Sequence, residues 1–253
     1  PYVAYRHFDS PEEIFKHKDA RFFACITYPN SVWKGKKIVI QGGVIKPNGD
    51  LMSSPGACEH NGKTYYTFGA QFSKDYSGFD GTPNCTRTGF LMRKFLNENL
   101  TVTKELQSTT DFMDFRYAEI LLNFAEAVVE KGETDGNLLD MAKKGLNDLR
   151  KRAAHTTEVD LTLDNVLRER RIELAFENKG YWDLIRRRDF HSEFDNRRKM
   201  ALVPMIDLRG EKPQYIFVRK FVPGANSCTF QTHHYYRHIP GTSTNGLTQN
   251  PKH

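Results

Sequence analysis

The chain has 253 residues and a mass of 29.2 kDa, enough for one large domain or two small ones, and 38% of the residues are hydrophobic. Its net charge of +6, from 37 Lys and Arg against 31 Asp and Glu, is too small for a nucleic-acid-binding tail. The longest apolar runs are strand-sized, which excludes a transmembrane helix. Four widely spaced Cys without C-x-x-C spacing exclude a zinc framework and leave the disulfide state open. The sequence begins at Pro1 without a targeting segment, so we interpret it as part of a longer protein.

Residues 1–114 are predicted to form a loop-rich region with short strands. Strand signals cover residues 21–28 and 37–40, and turn residues follow each of them. Residues 50–84 show no period, and Gly, Ser and Asp alternate there with aromatic residues. This segment is predicted to be a long loop that faces the ligand, because long ordered loops commonly carry binding residues.

Residues 115–190 are predicted to be helical, because apolar residues recur there at helical spacing. The first helix is predicted to start near Tyr117, with Tyr117 and Ile120 on its apolar face and Glu119 and Glu126 on its polar face. After a Gly-containing linker a second helix follows, and the two form an antiparallel hairpin of tetratricopeptide-like size. One such hairpin cannot cover its own apolar faces, so it must stack on other helices.

A third helix is predicted from Thr162, a suitable N-cap, to about Gly180. Arg170 lies in the middle of its apolar stripe, so the guanidinium must be paired, because an unpaired buried charge is heavily penalised. A structural ion pair is therefore predicted. The candidate partners are the nearby carboxylates Glu119, Glu126, Glu173, Glu177 and Asp183.

The C-terminal segment, residues 191–253, is predicted to be irregular apart from one strand at 215–218. The predicted fold is therefore mainly α, with irregular loops, a few short strands and a tetratricopeptide-like helical hairpin. Three parts are predicted: the loop-rich region 1–114, the helical region 115–190 and the irregular segment 191–253.

Familiar catalytic signatures are missing from the sequence, including the nucleophile elbow, the phosphate loop, the dinucleotide fingerprint and H-E-x-x-H. Cys58 and His60 flank Glu59, but the side chains of sequence neighbours diverge and rarely form a nucleophile and base pair. His233, His234 and His238 lie close together without a nearby carboxylate, and Pro240 follows, so neither a metal nor a cofactor is predicted.

Glu169, Glu173 and Glu177 repeat every four residues and form one carboxylate row on the third helix. Two carboxylates across a sugar could hydrolyse a glycosidic bond. However, residues 137–200 contain 15 Lys and Arg against 12 Asp and Glu, and this near balance favours ion pairs within the helical scaffold.

The candidate ligand contacts are aromatic residues that lie among small polar residues in the loop-rich region. Flat rings beside small polar groups suit sugar rings, and they suit peptides equally well. The alternative is that these rings hold the long loop onto the helices. The four candidates are Trp33, Tyr65, Tyr66 and Tyr76.

Several sequence blocks resemble the C-terminal part of the SusD/RagB family. Four linked blocks carry the resemblance: residues 115–127, 146–153, 168–177 and 182–184. Residues 18–22 look like the family's D-P-R-F with Ala20 for proline, residues 88–95 look like T-G-Y-x-x-R-K, and 239–240 and 247–251 look like its terminal blocks. The resemblance covers nearly the whole chain.

The resemblance implies a surface lipoprotein of the Bacteroidetes outer membrane that binds glycans or peptides beside a SusC-like TonB-dependent transporter. It implies a binding protein without catalytic chemistry or cofactor, anchored through an N-terminal cysteine that this chain lacks. Because the matching blocks form the scaffold, the resemblance assigns no ligand-binding residue. The alternative is a glycan- or peptide-cleaving enzyme that uses carboxylates such as Glu59 and Asp75.

Overall fold

The computed structural model describes residues 5–53, 56–67, 86–100, 108–222 and 224–250. Its helices are α1 (Ala20–Cys25), α2 (Tyr117–Lys131), α3 (Gly136–Arg152), α4 (Leu163–Glu173), α5 (Gly180–Arg186), α6 (Phe190–Phe194) and α7 (Thr242–Asn245), with 3-10 turns at Glu13–Phe15 and Thr232–Tyr235. Its strands are β1 (Ile26–Thr27), β2 (Val32–Trp33), β3 (Lys36–Lys37), β4 (Val44–Ile45), β5 (Leu51–Met52), β6 (Ala57–His60), β7 (Lys63–Tyr66), β8 (Leu91–Met92), β9 (Met200–Asp207) and β10 (Gln214–Phe221). The predicted fold class, mainly α with a few short strands, is confirmed.

The helical layer consists of α2 and α3, packed as a hairpin, with α4 against α2. Gly132 ends α2 in the left-handed conformation, and Thr162 caps α4 by accepting a hydrogen bond from the backbone N–H of Asn165. α4 ends earlier than predicted because Phe176 and Asn178 adopt positive φ angles. The core between these helices contains Ala118, Leu122, Ala125, Val128, Ala142, Leu146, Leu149, Val166 and Leu174.

The buried face of α2 is rotated from the predicted one. Tyr117 and Ile120, predicted to be apolar contacts, are 71% and 44% exposed. Glu119 and Glu126, predicted to face water, are only 7% and 6% exposed. The prediction of this face was wrong because it counted apolarity alone, whereas a carboxylate is buried readily when cations neutralise it.

A four-stranded sheet in the order β10-β9-β4-β5 joins the two ends of the chain. β9 and β10 pair antiparallel over eight residues each, and β4 pairs parallel to β9, with Val44 opposite Ile206. The predicted strand at 215–218 lies within β10, but β9 was not predicted. Pro204 within β9 argues against a strand because proline has no N–H to donate, but its carbonyl still accepts a hydrogen bond from the Gly42 N–H at 2.8 Å.

Two further predictions in the loop-rich region were wrong. Residues 21–25 form α1 rather than a strand, because the Asp19 carboxylate caps the helix by accepting the backbone N–H of Arg21 at 2.8 Å. Part of the predicted loop at 50–84 is the β6–β7 hairpin. Its turn, Asn61-Gly62, has φ angles of 49° and 71°, the left-handed conformation that this residue pair favours.

Phe15 is the centre of an aromatic cluster that joins the loop-rich region to the sheet. It is buried, and its ring has four aromatic neighbours with centroids 5.1 to 5.8 Å away: Phe22, Tyr28, Phe90 and Phe217. Phe22 lies in α1, Tyr28 follows β1, Phe90 precedes β8 and Phe217 lies in β10. The cluster therefore packs together parts of the chain that are remote in sequence.

We expect Gly89→Ala to destabilise the protein strongly, because its φ is +90° and an added Cβ would collide with the Leu202 carbonyl oxygen on β9. The matched control is Gly49→Ala, which has a φ of +91° and open space around the added Cβ. Thermal unfolding should show a loss of about 1 kcal/mol for the control, from backbone strain alone, and a clearly larger loss for Gly89→Ala. Equal losses would contradict this account.

Candidate functional site

Trp33, the first predicted ligand contact, lies on the β2–β3 hairpin and is partly buried. The guanidinium of Arg93 lies over its ring, 5.5 Å from the ring centroid. Arg93 also donates to the Val32 carbonyl at 3.3 Å and pairs with Glu98. The hairpin therefore presents an aromatic ring next to a cation and a carboxylate, groups that suit a ligand with one apolar and one hydroxylated face.

Tyr65 and Tyr66, the second and third predicted contacts, are neighbours on β7 and are both half-buried. Tyr65 packs against the cluster of Val44, Ile206 and Leu208. The Tyr66 carbonyl accepts a hydrogen bond from the Gln41 side chain at 2.5 Å. These contacts attach the β6–β7 hairpin to the sheet.

The predicted contacts Trp33, Tyr65 and Tyr66 do not stack on one another. Within the described ranges, no ring contact joins Trp33 to Tyr65 or Tyr66. Tyr76, the fourth predicted contact, lies outside the described residues, as does Asp75. Glu59, the other carboxylate of the enzyme alternative, accepts a hydrogen bond from Thr64 at 2.5 Å.

The other possible sites considered from the sequence show no reactive arrangement. The Cys58 thiol contacts the Glu59 carbonyl at 3.8 Å, and the His60 ring contacts the Asn61 amide at 3.1 Å. In the part of the chain that the structure describes, no three His, Cys, Asp or Glu side chains gather as a metal site. None of the helices in that part is long and apolar enough to cross a membrane.

Glu169 and Glu173 on α4 and Glu177, which follows the end of α4, form a buried carboxylate row. Arg21 from α1 reaches Glu169 at 2.5 Å and Glu173 at 2.8 Å. Further cations from α3 complete the pairing: Arg150 contacts Glu169 at 3.4 Å, and Arg152 contacts Glu173. These two carboxylates therefore have ion-pair partners and are not an available acid and base.

The same row also forms ion pairs with cations from the segments that precede α2. Arg116 contacts Glu173 at 2.6 Å and Glu177 at 2.8 Å, and the Lys94 ammonium contacts Glu177 at 2.5 Å. Lys94 also donates to the Ala175 carbonyl at 2.9 Å. We call Glu169, Glu173, Glu177 and their five cationic partners the α4 ion network.

Arg170, only 5% exposed, points to the other side of α4. Its Nε donates to Asp183 at 2.8 Å, its Nη1 donates to the Asn123 side chain at 2.6 Å, and its Nη2 lies 3.5 Å from Glu119. Glu119 also contacts Lys179 at 3.0 Å. The structure thus brings Arg170 together with two of its candidate partners, Glu119 and Asp183.

Glu126, a third candidate partner, contacts Arg186 at 2.6 Å and Arg187 at 3.2 Å instead. Together with Arg170 and Glu119 these groups line a crevice of about 730 Å³ between α2 and α5. Its charges largely neutralise one another, so the crevice offers little net attraction to a charged ligand.

The fold and these contacts define a SusD-like protein: tetratricopeptide-like helices joined by buried ion pairs to a loop-rich β region. The sequence matches the model of the SusD family over residues 4–253, and the chain belongs to this family. The family resemblance drawn from the sequence blocks is confirmed.

Solved structures share the fold. A SusD-like protein from Bacteroides fragilis NCTC 9343 has a TM-score of 0.58 at 20% identity, and the match covers 98% of this chain and 41% of that chain. A SusD-like carbohydrate binding protein from the same strain has a TM-score of 0.52 at 24% identity, over 86% of this chain and 42% of that chain. This chain therefore spans about two fifths of their length. The comparison with curated proteins finds no match.

We expect Arg170→Ala to lower the melting temperature sharply, because it leaves the buried Glu119 and the half-buried Asp183 without this partner. Breaking a buried pair typically costs about 3 to 5 kcal/mol of unfolding free energy. The control is Arg168→Ala on the exposed side of the same helix, which should change unfolding free energy by less than about 0.5 kcal/mol in a denaturant titration. A loss as small as that of the control would contradict a structural role for Arg170.

We expect acid to destabilise the protein through the α4 ion network. Burial on its own raises the pKa of Glu173, but hydrogen bonds from Arg21, Arg116 and Arg152 outweigh it and lower this pKa to about 2. A carboxylate whose pKa is depressed on folding stabilises the folded state above its unfolded value, near 4.5. Stability should therefore fall as the pH drops from about 4.5 to about 2. Glu173→Gln should lower the free energy of unfolding at pH 7, measured by urea titration, and should make this free energy depend less on pH. If the free energy of unfolding depends on pH as steeply as in the wild type, Glu173 does not contribute to the acid destabilisation.

Proposed function

We propose that this protein is a glycan-binding member of the SusD family that captures glycans at the cell surface and delivers them to a SusC-like TonB-dependent transporter. Family membership supports binding as the activity, and the B. fragilis structure described as a carbohydrate binding protein shares the fold. We further propose that it works at the outer membrane as a lipid-anchored protein.

The arrangement around Trp33 carries the proposal for the site. Arg93 stacks on Trp33 of the β2–β3 hairpin, and the Glu98 carboxylate lies next to the arginine. A ring held by a cation is oriented before the ligand arrives, which reduces the entropy lost on binding. Tyr66 and Tyr76 are proposed as further contacts, and Tyr65 is proposed to contribute the exposed part of its ring.

The buried charges favour binding over hydrolysis. Glycoside hydrolysis needs two carboxylates that can reach the sugar, one of them able to donate a proton. The three carboxylates of the α4 row are buried and paired with cations, and the pKa values of Glu173 and Glu177 are lowered. A carboxylate that stays ionised cannot act as the general acid at neutral pH.

The test is a panel of glycans and peptides, with affinity electrophoresis for binding and product analysis for turnover. Binding to a glycan without product supports capture, whereas product release would contradict it. Binding to peptides but to no glycan would contradict the glycan proposal and indicate a peptide ligand instead.

We expect Trp33→Ala to weaken binding of the best glycan of this panel about tenfold, as removing a buried aromatic contact typically does. Trp33→Phe should retain most of the affinity because it keeps a ring under Arg93. The control is Leu51→Ala, which removes an exposed apolar side chain on β5 and should leave affinity unchanged. Wild-type affinity in Trp33→Ala would remove Trp33 from the site.

A further inference from the structure

The positive charge of the chain is concentrated near its C-terminus. Residues 186–250 contain 11 Lys and Arg against 5 Asp and Glu, a surplus of six that equals the formal net charge of the whole chain. The remaining residues are therefore almost electrically balanced, as the α4 ion network illustrates. A local surplus of one sign raises the local concentration of ligands of the opposite sign.

Three consecutive arginines at the end of α5 have different partners. Arg186 and Arg187 contact the α2 carboxylates Glu126 and Glu130. Arg188 instead lies over two tyrosine rings, 5.2 Å from the Tyr235 centroid and 4.8 Å from the Tyr236 centroid. Its Nη2 donates to the Tyr236 hydroxyl at 2.9 Å.

Arg237 lies over an aromatic ring in the same way, in this case the ring of Trp182. Its guanidinium lies 5.2 Å from the Trp182 centroid, and its side chain is exposed. Across the described ranges, neither Arg188 nor Arg237 forms an ion pair with a carboxylate. Both guanidinium groups are therefore oriented by rings while their charge remains uncompensated.

Successive ring contacts lead from Trp182, which holds Arg237, to Tyr235, which holds Arg188. Trp182 and Tyr181 contact each other with centroids 5.1 Å apart, and Phe190 and Phe230 connect Tyr181 to Tyr235 through contacts of 5.5, 4.5 and 5.0 Å. Trp182, Tyr181 and Tyr236 are 40% to 47% exposed. We define the aromatic–arginine surface as Tyr181, Trp182, Arg188, Tyr235, Tyr236 and Arg237.

The backbone at Arg188 adds a second observation. Its φ is +62°, at a position after the end of α5 where glycine is the favoured residue. An arginine there costs about 1 kcal/mol relative to glycine, and the contacts with the two tyrosines hold it in place.

We propose that the aromatic–arginine surface binds acidic glycans, with separate carboxylate or sulfate groups of the polymer on Arg188 and on Arg237 and the apolar face of a sugar on Trp182 and Tyr181. A guanidinium matches a carboxylate or sulfate at two points, which gives both energy and geometric specificity. Two arginines on rings are too few for the many phosphate contacts of a nucleic-acid groove. This inference rests on the proposed function, because it names the class of glycan, but it uses a surface separate from Trp33.

The test compares full-length protein on two matched pairs of polymers that differ in charge alone: polygalacturonate against its methyl ester, and dextran sulfate against dextran. Binding is measured by isothermal titration calorimetry at several salt concentrations. The wild type should prefer at least one of the charged polymers at least tenfold, and added salt should weaken this preference.

Arg188→Gln and Arg237→Gln should each weaken binding of the charged polymer about tenfold, the effect of losing one charge-assisted pair. Arg237→Lys should restore only part of the loss, because lysine keeps the charge without the planar fork. The control is Lys212→Gln in the exposed turn between β9 and β10, which makes the same change in net charge. Unfolding curves of all variants show whether a loss of binding comes from a loss of folding. If Arg188→Gln unfolds, the comparison of Arg237→Gln with Arg237→Lys decides the proposal.

Three outcomes would overturn the inference: equal affinity for the charged and neutral polymers, an equal loss in Lys212→Gln and Arg237→Gln, or equal binding to duplex DNA or anionic phospholipid vesicles. Neutral-glycan binding that depends on Trp33 and ignores the arginines would overturn this inference and leave the proposed function intact. Failure to bind any glycan, charged or neutral, would overturn the proposed function itself.

Discussion

The buried carboxylate row on α4 is the interaction on which the rest of the structure depends. The three negative charges of this row can be buried only when cations surround them, because an unpaired buried charge is heavily penalised. The cations come from five places in the sequence: Arg21, Lys94, Arg116, Arg150 and Arg152. Each lies in one of the blocks that resemble the SusD/RagB family, so these blocks are the parts of a single electrostatic scaffold.

Charge is used in two different ways in this molecule. In the helical region nearly every buried cation contacts a carboxylate. These ion pairs stabilise the helices, and they leave little net charge that could attract a ligand. At the C-terminal surface, Arg188 and Arg237 instead lie over aromatic rings, and Arg93 combines both arrangements, because it lies over Trp33 and also pairs with Glu98. An arginine that lies over a ring attracts an anionic ligand more strongly than one that is paired with a carboxylate. The proposed ligand contacts therefore lie at the periphery, whereas the ion pairs stabilise the helical region.

The helices could be predicted from the sequence because their signals are local: apolar spacing, the Thr162 cap and a glycine stop. The rotation of the α2 face and the strand β9 could not, because both depend on distant residues. Glu119 is buried beside cations from other elements, and Pro204 lies in β9, where its carbonyl accepts a hydrogen bond from Gly42. For the candidate site, composition predicts Trp33 as a ligand contact, but its neighbour Arg93 could be found only in three dimensions.

The parallel pairing of β4 with β9 has a consequence for how the molecule comes apart. Val44 and Ile206 are partners although they are remote in sequence, and Phe8 forms an antiparallel bridge to Tyr215 on β10. β4 cannot detach from β9 alone, because its release removes hydrogen bonds from β9. The sheet therefore couples the loop-rich region and residues 200–221 in one cooperative unit, in which a protease or a pulling force that acts on one of them is resisted by the other.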